Sequence, residues 1–362
     1  MEKEEKIRKP WENYIRKVEP YTPGEQPDKP EMIKLNTNEN PYPPSPKVDK
    51  AICDLKAERM RLYPDPAAKV LVKALAEYHH LSEDQVFPGV GSDDVLAISF
   101  LTFFNSNRPI LFPDITYSFY CVWANLFKIP FECPAVDENF YIKAEDYTKE
   151  NGGIVIANPN APTGIAENLD FIERILKENQ DVIVIIDEAY IDFGGVSAVT
   201  LLPKYENLLV VRTFSKSHSM AGMRIGYALG SPFLIQAMNN VKYSYNSYTM
   251  SQAALALGAA AIQDEEYFRE IVQKIVRTRE ETKKALQELG FSFPDSKANF
   301  IFATHQSVKA KDIFERLRKE NIYVRYFNKP RIDNYLRITI GTEHEMEIFL
   351  EKLKNCLSEI GN

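Results

Sequence analysis

Lys216 closes the run Arg212-Thr-Phe-Ser-Lys216, directly after the β-rich Leu208-Leu-Val-Val211, and small residues follow it as far as Arg224. A lysine amine forms a Schiff base with a carbonyl compound, but useful chemistry needs neighbours that bind that compound and accept its electrons. Candidate neighbours stand just after other short apolar runs. Asp187 follows Val182-Ile-Val-Ile-Ile186; a carboxylate there is partly desolvated and needs a cation or strong donor. Taken alone it reads equally as a cap or a salt bridge for the next segment. Asn158-Pro-Asn-Ala-Pro-Thr-Gly164 follows Gly153-Ile-Val-Ile-Ala157, either as a rigid turn presenting amides and hydroxyls or as a plain loop. Gly91-Ser92-Asp93-Asp94 follows Val86-Phe-Pro-Gly-Val90 and opens a helical stretch. Free N–H groups at such a start suit a phosphate, although simple capping uses the same residue types. Tyr117, after Pro109-Ile-Leu-Phe112, can lie over a flat ring or fill a core.

Together these positions supply a phosphate cradle, an aromatic plate, an isolated acid, hydroxyls and a lysine. That set fits a flat, phosphorylated pyridine aldehyde, pyridoxal 5′-phosphate. The acid would keep the ring nitrogen protonated, so that the ring can accept carbanion electrons.

Such groups meet only if the strands that carry them end along one edge. Seven short β-rich runs, at 85–90, 109–112, 128–131, 153–157, 182–186, 208–212 and 224–229, alternate with helical or loop stretches. The alternation predicts an α/β fold with a mainly parallel seven-stranded sheet covered on both faces, and ligands outside the carboxyl ends of its strands. Residues 45–250 form this expected large domain. Residues 1–44 are a proline-rich arm, with a helix predicted over Pro10 to Val18, expected to pack with the small domain. Residues 251–362 read as a smaller α+β domain: helices at 251–262, 265–289, 311–320 and 343–357, and strands at 299–303, 322–326 and 335–340.

The bulk properties narrow the partners. The 362 residues carry 44 basic and 51 acidic side chains, a net charge of −7, with no basic block suited to nucleic acid or an anionic membrane. The charged start Met1-Glu-Lys-Glu-Glu-Lys6 lacks the apolar core of an export signal. The longest apolar run, Ala253 to Ile262, is roughly half of a membrane span. Cys53, Cys121, Cys133 and Cys356 have no paired spacing, and the five histidines form no ligand pattern, so reduced thiols, no metal site and a cytoplasmic setting are expected.

The motifs Asn158-Pro-Asn-Ala-Pro-Thr-Gly164, Asp187-Glu-Ala-Tyr190, Arg212-Thr-Phe-Ser-Lys216 and Ala221-Gly-Met-Arg-Ile-Gly226 occur in that order. In this the chain resembles the pyridoxal-phosphate fold type I (aspartate aminotransferase-like) aminotransferases, from about Pro20 to the C-terminal helix. Leu35-Asn-Thr-Asn-Glu-Asn-Pro41, Tyr63-Pro-Asp-Pro66 and Leu336-Arg-Ile-Thr-Ile-Gly-Thr342 are most similar to the histidinol-phosphate aminotransferase subgroup. The resemblance implies that Lys216 is the Schiff-base lysine and proton carrier, that Asp187 pairs with the pyridinium nitrogen, and that Tyr190 bonds the ring hydroxylate. It places the cofactor phosphate on Ser215, Arg224 and the amides of Ser92 and Asp93, and stacks Tyr117 on the ring. Tyr63 would reach the cofactor phosphate of a neighbouring subunit, which implies a homodimer. Members usually carry Asn where this chain has Ala161, so either Asn160 takes that contact or Tyr190 acts alone.

For the substrate, the resemblance implies Arg337 as a carboxylate fork, Tyr21 and Arg325 at a phosphate, and Asn38 nearby. Arg331 is a further phosphate candidate or else a solvated loop cation. The implied reaction moves an amino group between glutamate/2-oxoglutarate and histidinol phosphate/imidazole acetol phosphate in histidine biosynthesis. An aromatic amino-acid transaminase and a phosphothreonine decarboxylase are alternatives on the same scaffold. A cofactor-sensing regulator would need a DNA-binding module, and the roughly forty residues before the match include no basic recognition helix.

Overall fold

Three of the helices begin on side-chain caps that the sequence supplies. In the computed structural model, which describes residues 9–22 and 24–360, the side chains of Ser45, Asn168 and Ser251 accept backbone N–H bonds from Lys47, Phe171 and Ala254, satisfying donors that a helix start leaves free. The first eight residues of the expected arm, and Pro23 within it, lie outside the described residues.

The N-terminal half comprises β1 (Ile33–Leu35), α1 (Pro46–Asp54), α2 (Lys69–His79), β2 (Val86–Gly89), α3 (Ser92–Phe103), β3 (Ile110–Leu111), α4 (Phe119–Phe127) and β4 (Phe131–Glu132). The middle adds β5 (Ile154–Ala157), α5 (Leu169–Glu178), β6 (Val184–Asp187), β7 (Leu208–Thr213), β8 (Gly226–Gly230) and α6 (Pro232–Tyr245). The remainder is α7 (Gln252–Ile262), α8 (Glu265–Glu288), β9 (Phe291–Ser292), β10 (Phe300–His305), α9 (Ala310–Lys319), β11 (Ile322–Tyr326), β12 (Leu336–Thr339) and α10 (Glu343–Ile360).

Seven strands form one sheet in the order β2-β8-β7-β6-β5-β3-β4, in which β8 alone runs against its neighbours. Its central strands are buried throughout and mostly apolar because both faces are covered. Leu208 and Val210 of β7 enter one core cluster, and Leu209 and Val211 enter the other. A five-stranded sheet has the order β1-β11-β12-β10-β9. Strand β1, from the arm, pairs with β11 in parallel, so the arm is sewn into this second sheet. No helix among the described residues is long and apolar enough to cross a membrane.

Three local expectations change. Over Pro10 to Val18 there is only a five-residue 3-10 helix, Pro10–Tyr14, with no buried residue; a helix without an apolar face to bury gains nothing from packing. The strand expected at 128–131 shrinks to β4, because Lys128 takes a left-handed conformation (φ 60) that closes α4. Arg224 likewise does not start β8. It lies before the strand with φ 51.

Candidate active site

Strands β5, β6 and β7 run in register, with Asp187 beside Ala157 on one side and Val211 on the other. Asp187 therefore sits in the middle of the sheet's edge. It is 5% exposed, accepts the Tyr120 hydroxyl at 2.7 Å and the Ala189 N–H at 3.3 Å, and has no ion-pair partner among the described residues. Burial raises its pKa from 3.8 to about 6, against the opposing Tyr120 and Ala189 hydrogen bonds. A desolvated acid of this kind gains most from a cation placed beside it.

Lys216 enters the same space from the end of β7. Its Nζ donates to the Thr37 carbonyl at 3.2 Å and lies 5.7 Å from the centre of the Tyr190 ring. Asn38, left-handed at φ 57, donates its side-chain amide to the Tyr190 hydroxyl at 2.9 Å and is itself fixed by Thr339 and Asn299. The arm thus orients a tyrosine of the large sheet.

An anion cradle forms where α3 begins. Gly91 has φ +84, and a Cβ there would stand 2.5 Å from the Arg224 guanidinium; one on Gly226 would stand 2.3 Å from the Ser92 nitrogen. Only glycines allow this approach of two backbones and an arginine. Asp93 accepts Arg224 Nη2 at 3.2 Å and the Tyr117 hydroxyl at 2.8 Å, while Arg224 Nη1 reaches Ser215 Oγ at 3.5 Å. The first N–H groups of α3 have no intrahelical acceptor and point, with the helix dipole, at the same place. Burial, and then Asp93, push the Tyr117 phenol well above its ordinary pKa, so it stays a neutral ring.

On the far side Arg325 and Arg337 are direct partners across β11 and β12. Arg337 Nη2 donates to the Asn36 carbonyl at 2.9 Å, its Nε is buried without a partner, and its guanidinium lies 5.4 Å from the Phe300 ring centre. Burial depresses its pKa, as does Arg325. Neither arginine has a carboxylate partner among the described residues. Tyr21 of the arm stacks on Phe119 at 4.2 Å. All these expected site residues, from Ser92 and Asp93 through Tyr117, Asp187, Tyr190, Ser215, Lys216 and Arg224 to Tyr21, Asn38, Arg325 and Arg337, line one cavity of about 310 Å³.

A sequence profile of the family described as aminotransferase class I and II matches residues 30–353. The chain belongs to this family. A histidinol-phosphate aminotransferase of Clostridium botulinum is 53% identical over 98% of this chain and 100% of the relative. One from Lactococcus lactis is 54% identical over 96% of this chain and 98% of the relative. Among solved structures, the histidinol-phosphate aminotransferase of Sinorhizobium meliloti, in complex with pyridoxal-5′-phosphate, shares the fold with a TM-score of 0.83 at 22% identity over 91% of each chain.

Asn160 and Arg331 do not line the cavity of this aminotransferase, and Tyr63, expected to act in a neighbouring subunit, lies outside it. Asn160 is 3% exposed; its amide donates to the Ile115 carbonyl and Thr163 while its oxygen accepts Thr116. Both amide N–H donors and the carbonyl oxygen are thus engaged in holding the loop. Asn160 therefore does not turn inward, and Ala161 is the residue that lines the cavity. Arg331 does not line the cavity: it pairs with Asp114 and the carbonyls of Val136 and Asp137, each at 2.8 Å. Tyr63 is 80% exposed and lies on Tyr248, in a separate apolar depression.

Sequence reasoning misses Tyr120, the donor to Asp187, and Asn40, whose amide donates to the carbonyls of Lys216 and Ser217. The one available signal for Tyr120 is its place three residues after Tyr117, on the same side of the turn that opens α4.

Proposed function

We propose that this chain is a pyridoxal-phosphate-dependent aminotransferase that moves an amino group between glutamate/2-oxoglutarate and histidinol phosphate/imidazole acetol phosphate, in histidine biosynthesis. The observation that carries the substrate side is the pair Arg325 and Arg337. Two like charges, one largely desolvated and neither matched by an acid among the described residues, lie in the cavity that holds Lys216. Such a pair is costly unless an anion fills it. The phosphate of histidinol phosphate, or a carboxylate of 2-oxoglutarate, supplies that anion. The relatives' names favour this reaction over an aromatic amino-acid transaminase or a phosphothreonine decarboxylase.

The cofactor side fits pyridoxal phosphate because Asp187 is a buried acid without a cation and the α3 cradle is a ready anion site. When bound, the cofactor supplies an aldehyde for the amine and a ring that accepts electrons. Asp187 would hold the proton of the ring nitrogen. Tyr190, oriented by Asn38, would donate to the ring hydroxylate, without the amide that Ala161 lacks. Ser215, Arg224 and the N–H groups of Ser92 and Asp93 would hold the phosphate, and Tyr117 would cover the ring. Lys216 Nζ would take the proton from the substrate Cα. Tyr21, on the arm, would close the cavity over the substrate.

Residues 45–250 thus form a cofactor domain, while the arm and residues 251–362 form the substrate side. Tyr63, with Met60, Leu62 and Val70 around it on an exposed apolar face, would meet a second copy of the chain in a homodimer. The purified enzyme, given histidinol phosphate and 2-oxoglutarate, should form glutamate. Release of CO₂ from phosphothreonine without glutamate formation would reject the transaminase in favour of the lyase.

A further inference from the structure

Behind the cavity wall lies a buried charge cluster that the proposed reaction leaves unused. Arg212, in the strand that leads to Lys216, is ion-paired with Asp192 and lies 3.8 Å from a carboxylate oxygen of Glu188. Asp192 belongs to the short turn Ile191–Phe193 that follows Tyr190. Its second oxygen accepts the Ser217 hydroxyl at 2.6 Å. Glu188 accepts the Ser197 hydroxyl and the Ala198 N–H, both at 2.6 Å. The side chains of Glu188, Arg212 and Asp192 are 0%, 9% and 17% exposed, and neither they nor Ser217 line the cavity.

The cluster alternates with the site along the chain. Asp187 and Tyr190 face the cavity, while Glu188 and Asp192 turn behind it; Lys216 faces the cavity, and Ser217 turns behind it. Asp192 thereby joins the two segments whose other residues are proposed to act on the cofactor. Burying such charges costs several kcal/mol per ion before pairing, and apolar side chains would fill the space at no such cost. What apolar side chains would not do is fix one segment against the other in a single register.

The peptide units around Lys216 are held twice. Asn40 donates to the carbonyls of Lys216 and Ser217, at 3.0 and 3.3 Å, and Asp192 holds the Ser217 side chain. We infer that Asp192 is a positioning residue for Lys216, acting through the hydroxyl of Ser217, with Arg212 as its counter-charge. Burial alone would raise Asp192, but Arg212 and the other groups around it bring its pKa below the ordinary value, so the hydrogen bond to Ser217 is charge-assisted. This inference rests on the reading of Lys216 as the residue that captures the cofactor.

The test measures how fast cofactor-free enzyme captures pyridoxal phosphate covalently at Lys216, by borohydride trapping and mass spectrometry, together with kcat and KM for histidinol phosphate. Ser217→Ala should slow capture and lower kcat by about 5- to 20-fold, as expected when a reacting group loses a fraction of an ångström of placement, with KM and the thermal midpoint near wild type. Asp192→Asn should slow capture at least as much, and Ser217→Ala should add little on top of it, because the two act as one unit. Capture and kcat at the wild-type rate in Ser217→Ala overturn the inference, whether or not Asp192→Asn folds. If wild-type enzyme is not trapped at Lys216, it is the reading of the lysine that fails instead.

Discussion

The two sides of the cavity treat charge in opposite ways. Beside the large sheet the polar groups are hydrogen-bonded within the chain, although Asp187 has no cation among the described residues: Arg224 has Asp93, Asp187 has Tyr120, and Tyr190 has Asn38. On the small sheet Arg325 and Arg337 face each other across two strands, and among the described residues no acid pairs with either and Arg337 Nε has no hydrogen-bond partner. A site pre-organised by its own hydrogen bonds suits a resident group that must be held in one pose. A site left with unspent charge suits a ligand that arrives with the opposite charge and leaves again. The difference supports the proposed division into a cofactor side and a substrate side.

The largest effect should come from the centre of the pre-organised side. Lys216→Ala should remove covalent trapping of pyridoxal phosphate and lower kcat on the order of 10³-fold or more, with substrate binding much less affected. Trapping retained at another lysine would show that the chemistry lies elsewhere and break the comparison at its first term.

Next comes the unspent pair. Arg325→Ala should raise KM for histidinol phosphate by roughly 10- to 150-fold, since a hydrogen bond to a charged group is worth about 1.5 to 3 kcal/mol. KM for phenylalanine or tyrosine should move far less. The ligand-free protein should keep or gain stability, because a like charge beside Arg337 is gone. A drop in thermal midpoint comparable to that of Arg224→Ala would mean that Arg325 is structural, like the large-sheet charges.

The same division decides what is legible in the sequence. Asp187 and Lys216 can be located from local pattern alone, because parallel strands end at one edge and the residue after each apolar run must lie there. Arg325 and Arg337 cannot be: they meet through the antiparallel register of β11 and β12, and their spacing of twelve residues carries no local signal, so only the family resemblance singles them out. Tyr120 and Asn40 reach partners 67 and 176 residues away, a pairing that exists only after folding. The left-handed turns at Lys128 and Arg224 escape for a different reason. They occur in non-glycine residues, which give no local signal for that conformation; at Lys128 it is the backbone N–H groups of Lys128 and Ile129, bonded to the Ala124 and Asn125 carbonyls, that close α4.

A smaller effect concerns the acid that waits for a cation. Asp187 has its pKa raised from 3.8 to about 6 in the folded chain, so the folded state binds its proton more tightly than the unfolded state. Without cofactor, stability should therefore fall as pH rises from about 4 to about 6 and level off above, by up to about 3 kcal/mol at about 1.4 kcal/mol per pKa unit. Glu188, raised to about 7 by burial, contributes with the same sign and extends the slope upward. Urea unfolding between pH 4.5 and 7.5 should show this slope in ligand-free enzyme, a shallower one in Asp187→Asn, and a shallower one again when pyridoxal phosphate places a cation beside the acid. An identical slope in all three would mean that Asp187 is already compensated within the chain.

The smallest expected effect tests whether an arginine near the small sheet must be unspent to matter for substrate. Arg331 lies six residues from both Arg325 and Arg337 in sequence, but its guanidinium is committed to Asp114 and to the carbonyls of Val136 and Asp137. It ties the loop between β11 and β12 to the large sheet's side of the molecule rather than lining the cavity. Its ion pair is partly exposed, with side chains 39% and 28% accessible, so screening limits the pair itself to about 1 kcal/mol or less. Arg331→Ala should lower the thermal midpoint slightly and leave KM for histidinol phosphate within about twofold, well short of what a charged contact to the substrate would cost. A rise in KM approaching that of Arg325→Ala would place Arg331 among the substrate's contacts, and a guanidinium left unpaired would no longer distinguish the proposed substrate side from the rest of the fold.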